Sequence, residues 1–196
     1  MESSNWLVCS TCSTPIVERN ELLTELYHPI LKEAVYTYQL DLLGQDCPVY
    51  SATNPGTTRF DVVRATFAAD RQLPVVQPRM LAAADIADFF RRLRVTMVVP
   101  DDQVEQVIDV EIDLADPSDE PSTEDGDFTV QCVGPITNEF TWFPPHSWNI
   151  ATCPACHDHI GWAYYDTSMV DATDISTVKP VFFGFIVTKL REKYFS

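Results

Sequence analysis

The stretch Thr141 to Tyr164 reads T-W-F-P-P-H-S-W-N-I-A-T-C-P-A-C-H-D-H-I-G-W-A-Y. Three of the chain's four tryptophans, Trp142, Trp148 and Trp162, fall within it, around the C-x-x-C pair Cys153 and Cys156. A second such pair, Cys9 and Cys12, stands near the N-terminus. Structural zinc takes four ligands in a tetrahedron, and each knuckle offers two adjacent thiolates. Cys9, Cys12, Cys153 and Cys156 thus make a full set for one zinc ion, which would close a very large loop and pin two sheets together. The alternative is a redox pair, but redox motifs open a helix after a strand, and C-P-A-C lies amid β-prone sequence. His157 and His159 flank the second knuckle as substitute ligands that four cysteines make unnecessary. With every position filled by protein there is no place for a bound water, so the ion is expected to be structural and not catalytic. Cys47 and Cys132 lack a partner at knuckle spacing and read as buried free thiols.

The chain has 196 residues, long enough for one sizeable domain or one domain carrying an insertion, and its 45% apolar content supports a real core. With 13 basic and 29 acidic residues its formal charge is -16. Such a field repels phosphate backbones, so nucleic acid is not an expected partner. No long apolar run suggests a membrane span, and the start M-E-S-S-N-W-L-V-C lacks the pattern of a secretory signal. A cytoplasmic or nuclear location is expected, where paired cysteines serve metal more often than disulfides.

Taken in order, the first knuckle lies in an apolar frame that reads as two short strands. Asn20 to Leu26 is ambiguous between helix and strand. Val35 to Leu43 alternates, with Tyr36, Tyr38, Leu40 and Leu42 on one face, and predicts a strand. A loop is expected through Cys47-Pro48 to the turn Asn54-Pro55-Gly56, followed by a strand over Arg59 to Phe67. Met80 to Arg94 has helical spacing, and Val107 to Leu114 alternates apolar residues with Asp109, Glu111 and Asp113. Twelve acids fall between Asp101 and Asp127, and Asp116 to Asp127 reads as a polar loop. The block from about 68 to 127 looks inserted into a mainly β domain; its acidic face is a solvated surface or a dock for a basic protein partner. Phe128 to Val133 and Val181 to Leu190 predict further strands, and Arg191 to Ser196 a charged tail.

Three tryptophans within 21 residues, separated by the rigid Phe143-Pro144-Pro145 and a knuckle, make either a packed core or a preorganised apolar box. The run from Trp142 to Tyr164 closely resembles the thalidomide-binding CULT domain of cereblon and its relatives, whose pattern is W-F-P-G-Y-A-W-T-x-A-x-C-x-x-C-x-x-H-I-G-W-x-F. Trp142, Phe143, Pro144, Trp148, Ala151, Cys153, Cys156, His159, Ile160, Gly161 and Trp162 match it, with Tyr164 in place of Phe. Cys9 and Cys12 fit the first knuckle of the family, Asn54-Pro55-Gly56 its N-P-H-G turn without the His, and Phe183-Gly184-Phe185 its last strand. The resemblance covers residues 5–67 loosely and 128–190 well.

The resemblance implies a β-tent, two antiparallel sheets pinned by one structural zinc, over a single domain of residues 1–196. It also implies a cage of Trp142, Trp148 and Trp162 with Tyr164 at its base and the Asn54 turn over it. There the backbone of Phe140, Thr141 and Trp142 would hydrogen-bond a small cyclic imide, such as a glutarimide, a pyrimidine-like ring or a modified chain end. Phe140, Pro145 and His146 depart from the family at the rim. The ubiquitin-ligase receptor of the family has a Lon-like domain and a helical adaptor-binding region; residues 1–196 contain neither pattern, so no ligase role is implied. Two other functions stay open. A cation cage would use the indoles with Asp158 and Asp166 to hold a methylated amine. An enzyme similar to methionine sulfoxide reductases of the B type shares the scaffold, but Cys132 would have to replace the last-strand cysteine.

Overall fold

The computed structural model describes residues 5–28, 30, 35–67, 130–170 and 178–194. The expected insertion, with its helix over Met80 to Arg94 and its acidic strand over Val107 to Leu114, lies outside the described residues. Within them the chain is mainly β, in two antiparallel sheets. The strands are β1 Asn5–Cys9, β2 Pro15–Glu18, β3 Val35–Leu42, β4 Gln45–Thr53, β5 Arg59–Ala65, β6 Gln131–Thr137, β7 Ser147–Thr152, β8 His159–Tyr165, β9 Phe182–Ile186 and β10 Leu190–Tyr194. A three-stranded sheet runs β10-β1-β2 and a seven-stranded sheet β3-β4-β5-β9-β8-β7-β6.

Side chains alternate across a strand, so cross-strand partners share a face. One face of the large sheet carries Val63, Ala65, Ala151, Ala163, Tyr165, Phe183 and Phe185, packed with Leu7, Ile16 and Val17 of the small sheet. The other carries Tyr50, Val62, Trp162, Tyr164, Phe182 and Ile186, and Trp142 and Phe143 from the loop before β7 cover it. The two cores explain why β8 and β9 are apolar at nearly every position and why β4 is buried from Cys47 to Ala52: these stretches are covered on both sides.

Three expectations are corrected here. Residues 45–53, read as a loop, form β4 inside the large sheet. The hairpin turn is only Leu43-Gly44, with φ of 55° and 73°, the two left-handed positions of a tight hairpin. Arg19 donates from Nε to Leu43 O at 2.8 Å, and Glu192 Oε1 accepts the Leu43 N–H at 2.6 Å, which holds a leucine in a conformation that favours glycine. Pro48 fits because the register with β5 begins one residue later, at Val49↔Val63. The run Val181 to Leu190 is not one strand: β9 ends at Ile186, and a 3-10 turn over Val187–Lys189 carries the chain into the small sheet. The charged tail Arg191–Tyr194 belongs to β10, paired with β1 from Asn5↔Tyr194 to Cys9↔Leu190. β3 forms where the alternation predicts it; on its alternating face Tyr36 is 52% exposed while Leu42 is buried, because the small sheet covers only the Leu42 end.

Candidate metal centre and aromatic site

The two knuckles are built alike. In the first, Cys9 N–H donates to Thr14 O (2.8 Å) and Ser13 N–H to Cys9 O (2.9 Å). In the second, Cys153 N–H donates to Asp158 O (2.9 Å) and His157 N–H to Cys153 O (3.0 Å). In each, the residue after the second cysteine has positive φ: Ser13 at 68° and His157 at 58°. These turns bring the two sulfurs of each pair to one cluster, with Cys9 and Cys153 buried and Cys12 exposed. The four Sγ atoms of Cys9, Cys12, Cys153 and Cys156 lie within 4.8 Å of one another. Cys9 faces Cys156 at 3.7 Å and Cys12 faces Cys153 at 3.5 Å. A zinc–sulfur bond of about 2.3 Å puts tetrahedral sulfurs about 3.8 Å apart, so four sulfurs at these spacings fit that ion. Burial tends to raise the Cys12 thiol, but hydrogen bonds from the Thr14 side chain and backbone and from neighbouring thiols outweigh it and hold it at about 6. A thiolate is the form a metal binds.

Neither neighbouring histidine joins the cluster. His157 Nδ1 meets Gln131 Oε1 at 3.1 Å, and His159 Nε2 donates to Gly161 O at 2.9 Å with its ring edge-on to Trp162. Asp158 accepts from Lys189 Nζ (3.0 Å) and from Thr11 Oγ1 (3.0 Å), tying both knuckles to the turn before β10. Burial pushes the thiols of Cys47 and Cys132 up to about 11, so both are protonated near neutral pH.

The aromatic residues meet on the other face of the large sheet. Trp148 on β7 lies opposite Tyr164 on β8, and Trp162 opposite Gly184 on β9. Gly184 leaves room for these rings: a Cβ there would stand 2.8 Å from Val62 Cγ1 and 3.1 Å from Tyr164 Cε2. Trp142 packs edge-on against Trp162 with centroids 4.8 Å apart. These two indoles are only 5% and 8% exposed, while Trp148 is half-buried and packs against the same cluster. Tyr164 stacks on Phe182 at 4.9 Å and meets Phe143 edge-on. The indole N–H groups are fixed by carbonyls, Trp142 Nε1 to Thr53 O (3.3 Å) and Trp148 Nε1 to Glu139 O (2.8 Å). The first bond joins Trp142 to the Asn54 turn, which closes through Thr58 N–H to Asn54 Oδ1 (2.8 Å). Phe140 has a φ of 57° and is 59% exposed, and Thr141 N–H reaches Asn138 O only at 3.5 Å.

The structure adds Phe60 to the sequence-predicted residues. Its ring lies 5.2 Å from Trp162 and 6.0 Å from Trp142. Sequence reading placed it in a strand without assigning it a site, because only the register with Ala52 brings it beside the indoles. Tyr27 and His146 are also drawn in: Tyr27 packs on Phe143, His146 and Phe182.

Part of the chain is similar to cereblon. It is 34% identical over 58 residues to protein cereblon of Drosophila grimshawi, a stretch that takes in 30% of this chain and 8% of that protein. Over 58 residues it is 33% identical to protein cereblon of Drosophila virilis, again 8% of that protein. The matched stretch thus spans less than a tenth of the length of these curated relatives. No protein-family model matches the chain. The four cysteines are placed to hold a metal ion, and the chain is similar to cereblon over a short stretch. No helix among the described residues is long and apolar enough to cross a membrane.

Proposed function

We propose that this chain is a non-enzymatic binding module of the CULT type, held by one structural zinc on Cys9, Cys12, Cys153 and Cys156. Its tryptophan site takes a small, uncharged cyclic imide, of the glutarimide or pyrimidine-like class, or the same ring at a modified chain end. The observation that carries the reading is the edge-on packing of Trp142 and Trp162 at 4.8 Å, with Trp148 on the same sheet face and the Asn54 turn tied to Trp142. Walls of this kind favour a flat apolar ring. The weakly engaged Thr141 N–H, beside Phe140 and Trp142, supplies the polar edge that an imide needs.

The methylated-amine reading has less support, because its acids are engaged elsewhere: Asp158 with Lys189 and Thr11, and Asp166 with Ser168. The sulfoxide-reductase reading needs a reactive Cys132. Cys132 lies opposite Ala151, on the sheet face away from the indoles, and burial holds its thiol protonated. Titrating the protein with glutarimide should change its tryptophan fluorescence saturably, and Trp162→Ala should abolish the response. A flat titration at millimolar glutarimide would refute the reading. A response to tetramethylammonium that weakens with salt would favour the cation cage.

A further inference from the structure

The residues between the first two indoles, Phe143 to Ser147, are gripped from outside their own loop at nearly every position. Thr167 Oγ1 donates to Pro145 O, and Ser147 Oγ lies 2.9 Å from the same hydroxyl. From the other side Tyr27 Oη reaches Pro144 O at 3.2 Å and His146 Nδ1 at 2.9 Å. His146 Nδ1 also lies 3.2 Å from Phe143 O. One arrangement of protons satisfies all three contacts. The Tyr27 hydroxyl donates to Pro144 O, and a protonated Nδ1 donates to both Tyr27 Oη and Phe143 O. A bare Nδ1 would set two acceptors against each other at the Phe143 carbonyl and would compete for the only hydroxyl proton.

Tyr27 is itself held with care. Its N–H donates to Tyr50 Oη at 2.7 Å, and its ring lies under the Arg64 guanidinium at 4.9 Å. Arg64, 7% exposed, also faces Tyr50 and Phe182 and donates from Nη2 to Glu25 O at 2.6 Å. Its Nε has no hydrogen-bond partner. A buried cation is costly unless its surroundings compensate it, and here three aromatic faces and a carbonyl do so. The arrangement fixes residues 25–27 against the large sheet, and Tyr27 passes that fixity to the loop between Trp142 and Trp148.

We infer that Tyr27 is a positioning residue for the tryptophan site: its hydroxyl, through Pro144 O and the Nδ1-protonated tautomer of His146, sets the loop that spaces Trp142 from Trp148. It touches no ligand itself. The inference rests on the reading of the indoles as a binding site, but one arm of its test does not. In ligand-free protein, long-range proton–nitrogen NMR should show His146 as the Nδ1-protonated tautomer. Tyr27→Phe keeps the ring under Arg64 and removes only the hydroxyl. It should shift the His146 nitrogens and the indole N–H signals of Trp142 and Trp148 while thermal unfolding stays near that of the parent. Loss of one loop-setting hydrogen bond should weaken glutarimide binding about tenfold. Thr167→Val, which releases the loop from the other side, should move the same indole signals. Parent-like spectra and affinity in Tyr27→Phe would overturn the inference. If the parent does not bind glutarimide, the function fails and the NMR arm alone decides whether Tyr27 sets the loop. An Nε2-protonated His146 would overturn it in either case.

Discussion

Removing the proposed zinc should be the most direct perturbation of the fold. The ion would join Cys12 to Cys153, across a sequence separation of 141 residues. Treated as a cross-link on the unfolded chain, a loop of that length is worth about 5 kcal/mol of conformational entropy. Domains are stable by about 5–15 kcal/mol in all, so losing the link removes a third or more of the total. The expected outcome is a large drop in the urea midpoint when the protein is dialysed against a chelator, recovered on adding zinc. Cys153→Ser should lower the midpoint similarly, abolish recovery by zinc and remove the metal found by elemental analysis, since an uncharged hydroxyl is a poor substitute for thiolate. Cys47→Ser is the control: its buried thiol lies outside the cluster, so metal content should hold at one ion per chain. Purified protein without bound zinc, or a Cys153→Ser variant with an unchanged midpoint, would refute the reasoning.

Further outcomes are expected in the aromatic layer and in acid. Gly184→Ala would press a methyl to 2.8 Å from Val62 Cγ1 and should cost about 1–3 kcal/mol in urea unfolding, through overpacking. Arg64→Met should leave the sheet intact but speed hydrogen exchange at the Tyr27 amide, because the guanidinium that holds residues 25–27 is gone. Burial holds His159 down to about 4, so the folded state keeps it neutral where the unfolded chain would take up a proton. Its contribution is therefore complete above about 6.5 and declines as pH falls toward 4. His159→Gln should flatten stability over that window in a urea-midpoint series against pH.

The knuckles and the indole cluster were legible because their information is local. A C-x-x-C spacing fixes two sulfurs within one turn, and alternation places Trp162 and Tyr164 on one face whatever lies beyond. What escaped was set by partners distant in sequence. β10 looks like a charged tail because an outer strand of a small sheet buries little, and only its pairing with β1 reveals it. β4 was hidden by Cys47-Pro48, a turn-like pair that is tolerated because β5 joins just past it. Tyr27 follows the ambiguous segment Asn20 to Leu26 and received no role, and its bonds to Pro144 and His146 reach across 117 and 119 residues. The insertion that the sequence suggests at about 68–127 lies outside the described residues, so its acidic face stays an expectation.

The pairing of Asn5 with Tyr194 has a mechanical consequence. A pull applied to these two residues acts across neighbouring antiparallel strands at the same end, so it loads their hydrogen bonds one pair at a time. Such a seam peels at low force, unlike a shear geometry in which all pairs resist together. The peeling front passes Trp6, Leu7 and Val8 and arrives at Cys9, where the four sulfurs converge. With metal bound, that point would stop the tear and shield both cores; without it, the tear would run on into the first knuckle. A bound metal would thus divide the molecule into a yielding hem and a protected body, a division that pulling single molecules with and without chelator would show as the loss of one late, high-force event.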